Sequence, residues 1–234
     1  MAFKGFDPDI VKYLHNVYTK NSKVWYEEHK GDYQKLVRDP FYEFIGELAP
    51  QMTEIDPEII TQPNRCLSRI YKDARFSKDG FLYRNRVWLT FKRPAEDWLI
   101  IPAFFFEITE EKCTYGMGYY FTTAATMADF RSFILDSPRA FKKAIKPIED
   151  DEFLHIDGDK YKKPKPDAPK GMEDWFTMKN FFVAAERPLE LIFSPDILHE
   201  VSNAFDKLKE LYKILTFDLP EIRKRKEEPG LFLP

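Results

Sequence analysis

At 234 residues, with 44% hydrophobic and 32% charged residues, the chain has a globular balance and ample material for a core. Those figures exclude a disordered chain, a collagen-like repeat and a disulfide-stapled miniprotein. Aromatics at 16%, among them 22 phenylalanines, predict a ring-lined core, and only nine glycines argue against a fold built on Gly-rich turns. A net charge of −3 makes generic DNA binding by the whole surface an unsuitable reading.

Four expected helix starts share one signature, a capping residue followed by proline: Asp7-Pro8, Asp39-Pro40, Ser137-Pro138 and Ser194-Pro195. Behind Pro8, Ile10, Val11, Leu14, Val17 and Tyr18 form a helical stripe, and Ser22 opens a further helix through Trp25 to Val37. Asp39 is expected to restart the helix with Phe41, Phe44, Ile45 and Leu48 on one face. The strongest pattern follows Pro195, from Ile197 through Val201, Phe205 and Leu208 to Leu215.

The middle of the chain reads as strands. Val87, Leu89 and Phe91 alternate with Trp88, Thr90 and Lys92. Ile100 to Ile108 is nearly continuously apolar and predicts a central strand covered on both sides. Cys113, Tyr115, Met117, Tyr119 and Phe121 occupy one face of a third strand, opposite Thr114, Gly116, Gly118 and Tyr120. A fourth is expected at Phe181 to Glu186, and Glu110 to Lys112 reads as a hairpin connector. The fold class is α+β: a central antiparallel or mixed sheet of four or more strands flanked by N-terminal and C-terminal helices. We read one domain over 1–234, with a helical part at 1–55, a sheet-containing core at 64–190 and C-terminal helices at 194–227. The Lys/Pro-rich stretch from Tyr161 to Gly171 is the candidate mobile lid.

Met1 to Asp7 lacks the apolar core and cleavage site of a secretory signal, and the apolar run from Trp98 to Phe106 is far shorter than the roughly 20 residues of a membrane-spanning helix. The expectation is a cytoplasmic protein with no membrane partner. Cys66 and Cys113 read as two reduced core thiols. The four histidines, His15, His29, His155 and His199, are dispersed, so no metal site and no cofactor is expected.

Charge is concentrated in one window. Arg65 to Arg93 holds nine basic residues, six of them arginines, against Asp73 and Asp79 alone, so it carries +7 while the remainder carries −10. Arginine holds carboxylate or phosphate bidentately, where lysine offers a point charge. Ser68, Ser77, Tyr71 and Tyr83 add neutral donors.

Within this window the run from Arg69 through Arg75, Phe76, Ser77, Lys78 and Asp79 to Asn85 closely resembles the signature R-[IV]-[YF]-R-D-x-R-F-S-[KR]-D-K-x-P-Y-K. That signature belongs to the uncharacterised family catalogued as domain of unknown function 2461. The resemblance takes in Gly5-Phe6, Asn21-Ser22 with Trp25, Gly116 to Tyr119 and Lys179 before an aromatic strand, and so covers most of the chain. Three positions depart from it: Lys72 for the usual Arg, Gly80 for Lys and Leu82 for Pro. A role for a lysine at position 80 therefore does not carry over, and the resemblance implies no particular reaction.

Asp73 lies four residues from Arg69 and two from Arg75, and the shorter spacing puts both side chains on one face of an extended segment. An Asp between two arginines would orient their guanidinium groups as an anion clamp or simply fix the loop. Phe76, Phe81 and Tyr83 read as loop anchors. Asp79 before Gly is a turn residue and a weak candidate for a general base. Glu107, opposite in facing to Phe106 and Ile108, is either a partner of one of the arginines or a catalytic carboxylate. Gly116 and Gly118 leave a flat strip open to a ligand or a neighbouring ring.

The candidate ligand-binding set is thus Arg69, Lys72, Asp73, Arg75, Ser77, Lys78, Tyr83, Gly116, Gly118 and Lys179. The expected function is binding of a small phosphate- or carboxylate-bearing anion, with or without chemistry. The alternatives are a nucleotide or single-stranded nucleic-acid module, to which interleaved Arg and aromatics are suited, and a scaffold whose Arg–Asp network is structural. The −10 remainder disfavours a long polyanion. No Walker loop, nucleophile elbow or metalloprotease motif is present.

Overall fold

The computed structural model describes residues 3–73, 79–94, 100–119, 122–163 and 167–219. Helix α1 (Asp9–Lys20) begins where the Asp9 N–H donates to Asp7 Oδ1 at 2.9 Å, so the aspartate before Pro8 does the capping. Its C-terminus stops at Asn21, whose left-handed φ of 46° ends the hydrogen-bond ladder. Ser22 Oγ accepts from the Trp25 N–H and opens α2 (Lys23–Glu28). A one-turn α3 (Lys30–Tyr33) leads into a π-helical turn (Gln34–Arg38) and then α4 (Asp39–Ile55). Asp39-Pro40 therefore does not restart a helix. The chain stays helical through it, and the wide turn lies just before the proline, which has no N–H to donate.

A short α5 (Pro63–Cys66) precedes β1 (Val87–Phe91), β2 (Ala103–Ile108) and β3 (Lys112–Gly118). After α6 (Ala124–Asp136) and α7 (Pro138–Glu149) come β4 (His155–Asp157), α8 (Glu173–Thr177), β5 (Phe182–Pro188), a 3-10 turn (Leu189–Phe193) and α9 (Asp196–Lys213). The sheet is five-stranded and antiparallel, in the order β1-β2-β3-β5-β4, and the fold class is α+β. The β2–β3 hairpin closes through Thr109, whose N–H donates to Lys112 O at 3.0 Å while its Oγ1 accepts from the Glu111 and Lys112 N–H groups.

Two strand expectations need correction. Ile100 and Ile101 are buried, but the strand starts only beyond Pro102. Along β2, Phe104, Phe106 and Ile108 are buried while Ala103, Phe105 and Glu107 are half-buried, so one face of this strand is not sealed. β3 ends at Gly118, and Tyr120 and Phe121 of the expected strand lie outside the described residues. The room a side chain would need at Gly116 and Gly118 is filled by β5: a Cβ at Gly116 would sit 2.0 Å from Val183 O, and one at Gly118 2.3 Å from Phe182 Cβ. The neighbouring chain accounts for both glycines. β4 went unpredicted because its three residues carry no apolar alternation; it is held by register to β5 (His155 with Ala184, Asp157 with Phe182).

The chain forms two compact units. One comprises Met1–Phe91, Phe105–Tyr115 and Glu186–Asn203. Its core is a ring cluster in which Phe6 meets Phe41, Phe44 and Phe106 at centroid distances of 4.9 to 5.9 Å. Gly5, with a φ of +101°, lets the chain pass against Phe193 O, where a Cβ would stand 2.6 Å away. The other unit comprises Lys92–Phe104, Gly116–Ala185 and Ala204–Pro234. There Phe130, Phe141, Trp175 and Phe181 pack edge to face or tilted, and Phe104 meets Phe205 and Tyr212 of α9, each at 5.0 Å. Both cysteines are buried, and neither is in a disulfide. No helix among the described residues is long and apolar enough to cross a membrane.

Candidate functional site

The arginine-rich window folds back on itself. Ser68 N–H donates to Trp88 O (2.8 Å), Arg84 N–H to Ile70 O (3.0 Å) and Lys72 N–H to Leu82 O (2.8 Å), with bridges at Leu67–Leu89 and Tyr71–Tyr83. Two antiparallel runs result, 67–72 and 82–89. Between the first two of these bonds, the stretch 84–88 opposes only 68–70, so Asn85 and Arg86 form a bulge that bends the ribbon.

The ribbon's tip is fastened to the end of α1. Asn21 Nδ2 donates to Gly80 O (3.2 Å), and Leu82 N–H donates to Asn21 Oδ1 (2.6 Å). The Phe81 ring stacks on Tyr18 at 4.3 Å, and the Lys72 ammonium lies over both rings, 5.2 and 5.4 Å from their centroids. Lys72 Nζ also donates to Asp79 Oδ2 at 2.6 Å, while Asp79 Oδ1 accepts from Phe81 N–H at 3.1 Å. Lys72 and Asp79 thus build the turn. Gly80 sits at a φ of +78°, a conformation that glycine adopts without steric cost and that a lysine side chain would strain.

Tyr83 is fully buried and packs with Tyr26 and Tyr71 at 5.3 and 5.0 Å. Burial pushes its hydroxyl up to about 12, and that of neighbouring Tyr33 likewise. Tyr83 anchors the ribbon from below. Arg69 is exposed and makes no ion pair among the described residues. Arg75, Ser77 and Lys78 lie outside the described residues. Lys179 belongs to the other unit, its ammonium 5.4 Å from the Tyr161 ring, which Arg131 also approaches at 5.7 Å. Of the expected set, the structure brings Lys72 and Tyr83 to this ribbon.

What does converge is a charged group on the half-buried side of β1 and β2. Arg84, Arg86 and Trp88 are spaced by two, and the guanidinium carbons of Arg84 and Arg86 lie 4.9 and 5.8 Å from the Trp88 ring centroid. Arg84 Nε donates to Tyr71 O at 3.2 Å. Arg86 Nε stands 3.5 Å from Glu107 Oε1, with the two side chains 53% and 24% exposed. Burial holds the Glu107 carboxyl above its usual range, against the opposing pull of Arg86 and Lys112. Lys112 in turn is ion-paired to Glu186 on β5. Of the two roles open to Glu107 in the sequence, the geometry supplies the arginine partnership. Arg84, Arg86, Trp88 and Lys112 were missing from the expected set; the bulge at Asn85 and Arg86 interrupts the strand alternation, so period alone did not group the first three.

A separate, partly buried polar group is built around Tyr115 of β3. Tyr115 Oη donates to Glu200 Oε2 (2.8 Å), Arg187 reaches the same carboxylate at 3.5 Å, and burial pushes the Cys113 thiol up to about 12, out of nucleophile range. The other unit carries a cleft of about 460 Å³ rimmed by Glu149, Asp151, Glu173 and Asp174, the wrong sign for an anion. Among the described residues no three His, Cys, Asp or Glu side chains come together as a metal-ligand set.

An α+β protein with an arginine-bearing ribbon along its sheet is the class these features define. The chain belongs to the family described as conserved hypothetical protein (DUF2461), whose model matches residues 9–213. A search of curated proteins gives no match.

Proposed function

We propose that this protein binds a small oxyanion, phosphate- or carboxylate-bearing, at Arg84, Arg86 and Trp88. One observation carries the reading: two guanidinium groups are held over a single indole at 4.9 and 5.8 Å. A guanidinium lying over a ring gains cation–π attraction and can still take a carboxylate or phosphate bidentately through its N–H edge. Ordering the arginines in advance lowers the entropy lost on binding. The acidic remainder of the chain favours a small anion over a long polyanion.

The test is thermal unfolding in sulfate and phosphate. At a free concentration about 100 times Kd, linkage raises stability by roughly 2.7 kcal/mol. Arg86→Ala should remove most of that response and leave the melting temperature without ligand nearly unchanged, since this side chain is more than half exposed. The pairing of Arg86 with Glu107 and of Lys112 with Glu186 supports a second reading, a purely structural charge ladder. A flat response to every anion, in wild type and Arg86→Ala alike, would leave that reading standing.

A further inference from the structure

We infer that Glu107 is an internal competitor for Arg86, displaced when the oxyanion binds and then protonated so that it donates a hydrogen bond to the ligand. The inference rests on the oxyanion reading above and specifies the ligand: a tetrahedral oxyanion with one pair of oxygens for the guanidinium edge and a further oxygen to accept from Glu107.

The argument starts from distance. At 3.5 Å the Arg86–Glu107 contact is longer than the roughly 2.7–2.9 Å of a charge-assisted hydrogen bond, so the carboxylate faces the guanidinium without being locked to it. The charged groups facing Glu107 are Arg86 from the ribbon and Lys112 from β3. Lys112 is engaged by Glu186, itself mostly exposed. Arg86 is therefore the cation that Glu107 and an incoming anion must share.

An anion seated on Arg86 places a second negative charge beside a carboxylate that is only 24% exposed. Like charges at one site cannot both remain ionised cheaply, and the half-buried group takes up the proton. The bookkeeping is simple: one proton from solvent joins a Glu107 oxygen, no bond in the ligand breaks, and the new O–H points to the ligand's free oxygen. Binding is then coupled to the uptake of one proton.

Sulfate is the probe, because it stays a dianion between pH 5 and 8. Wild-type affinity should rise as pH falls across this range, by at most about tenfold per unit, the limit for one proton. Calorimetry in buffers of different ionisation enthalpy should show the uptake. Glu107→Gln, uncharged and of the same shape, should bind sulfate about two to five times more tightly at pH 8, the equivalent of one exposed ion pair removed. It should also lose the pH slope and the buffer dependence. Glu186→Gln, which alters the same face without touching Arg86, should keep both. Should Glu107→Gln retain the wild-type slope, or bind no more tightly at pH 8, the competitor role is overturned while oxyanion binding stands. Absence of sulfate binding to wild type at every pH overturns the site itself.

Discussion

Leu82 and Asn21 are separated by 61 residues, yet the Leu82 N–H donates to Asn21 Oδ1 at 2.6 Å, and the same amide donates through Nδ2 to Gly80 O. One side chain thus satisfies two polar groups of the turn, and it does so from a left-handed residue at the end of α1. Asn21→Ala should cost about 2 kcal/mol: two hydrogen bonds to backbone are lost, and alanine tolerates that backbone less well than asparagine. Chemical denaturation would measure it, and hydrogen exchange should quicken first at Lys72 and Leu82.

The turn held by that amide has its own demand. Gly80→Lys should destabilise by about 1–2 kcal/mol, because a φ of +78° brings a Cβ too close to the following carbonyl. Nothing lies within 4 Å of that Cβ, so the loss should be conformational, and Gly80→Asn should recover much of it. Equilibrium unfolding of the two variants compares them directly.

Gly116 and Gly46 should respond to the same substitution in opposite directions. Gly116→Ala drives a Cβ to 2.0 Å from Val183 O, forcing β3 and β5 apart, at a cost of at least about 3 kcal/mol or the loss of soluble protein. Gly46 is exposed within α4 with open space around it, so Gly46→Ala should stabilise by about 0.5–1 kcal/mol. Melting curves for the pair separate a steric glycine from an incidental one.

The tyrosines beneath the ribbon set a limit at high pH. Tyr13, Tyr26, Tyr33 and Tyr83 all have hydroxyls raised by burial, Tyr33 and Tyr83 to about 12. An unfolded tyrosine ionises near 10, so between pH 10 and 12 the unfolded chain releases protons that the folded one keeps. Stability is fully present below pH 10 and should fall steeply above it. Tyr13 is buried, and its hydroxyl has no hydrogen-bond partner among the described residues. Tyr13→Phe should therefore be neutral or stabilising by up to about 1 kcal/mol at pH 7, and should flatten the alkaline loss. Denaturation midpoints from pH 7 to 11.5 test both.

Element types were legible wherever a period was long or a cap was marked. The stripe behind Pro8 and the one behind Pro195 became α1 and α9, and the alternation of Val87, Leu89 and Phe91 became β1. The elements that escaped lack such signals. α6 starts at Thr123, whose Oγ1 accepts from Thr126 N–H, without a following proline, and β4 is three residues, too short for a period to show, with Ile156 its one apolar side chain.

The candidate site was legible only in its chemistry. Composition placed +7 between Arg65 and Arg93 and interleaved it with rings, and that excess of guanidinium groups is a property of the chain itself. Which arginines lie together was decided elsewhere. The bulge at Asn85 and Arg86 bends the ribbon, Trp88 gathers Arg84 and Arg86, and Glu107 approaches from the neighbouring strand. Lys72, by contrast, is spent on Asp79 and two rings of the turn. Alternation assigns a side chain to a face of its strand, because the backbone pleat has a period of two. It carries no information about what lies across that face. The partner is set by pairing between distant stretches of chain, and only the folded sheet brings Glu107 to Arg86.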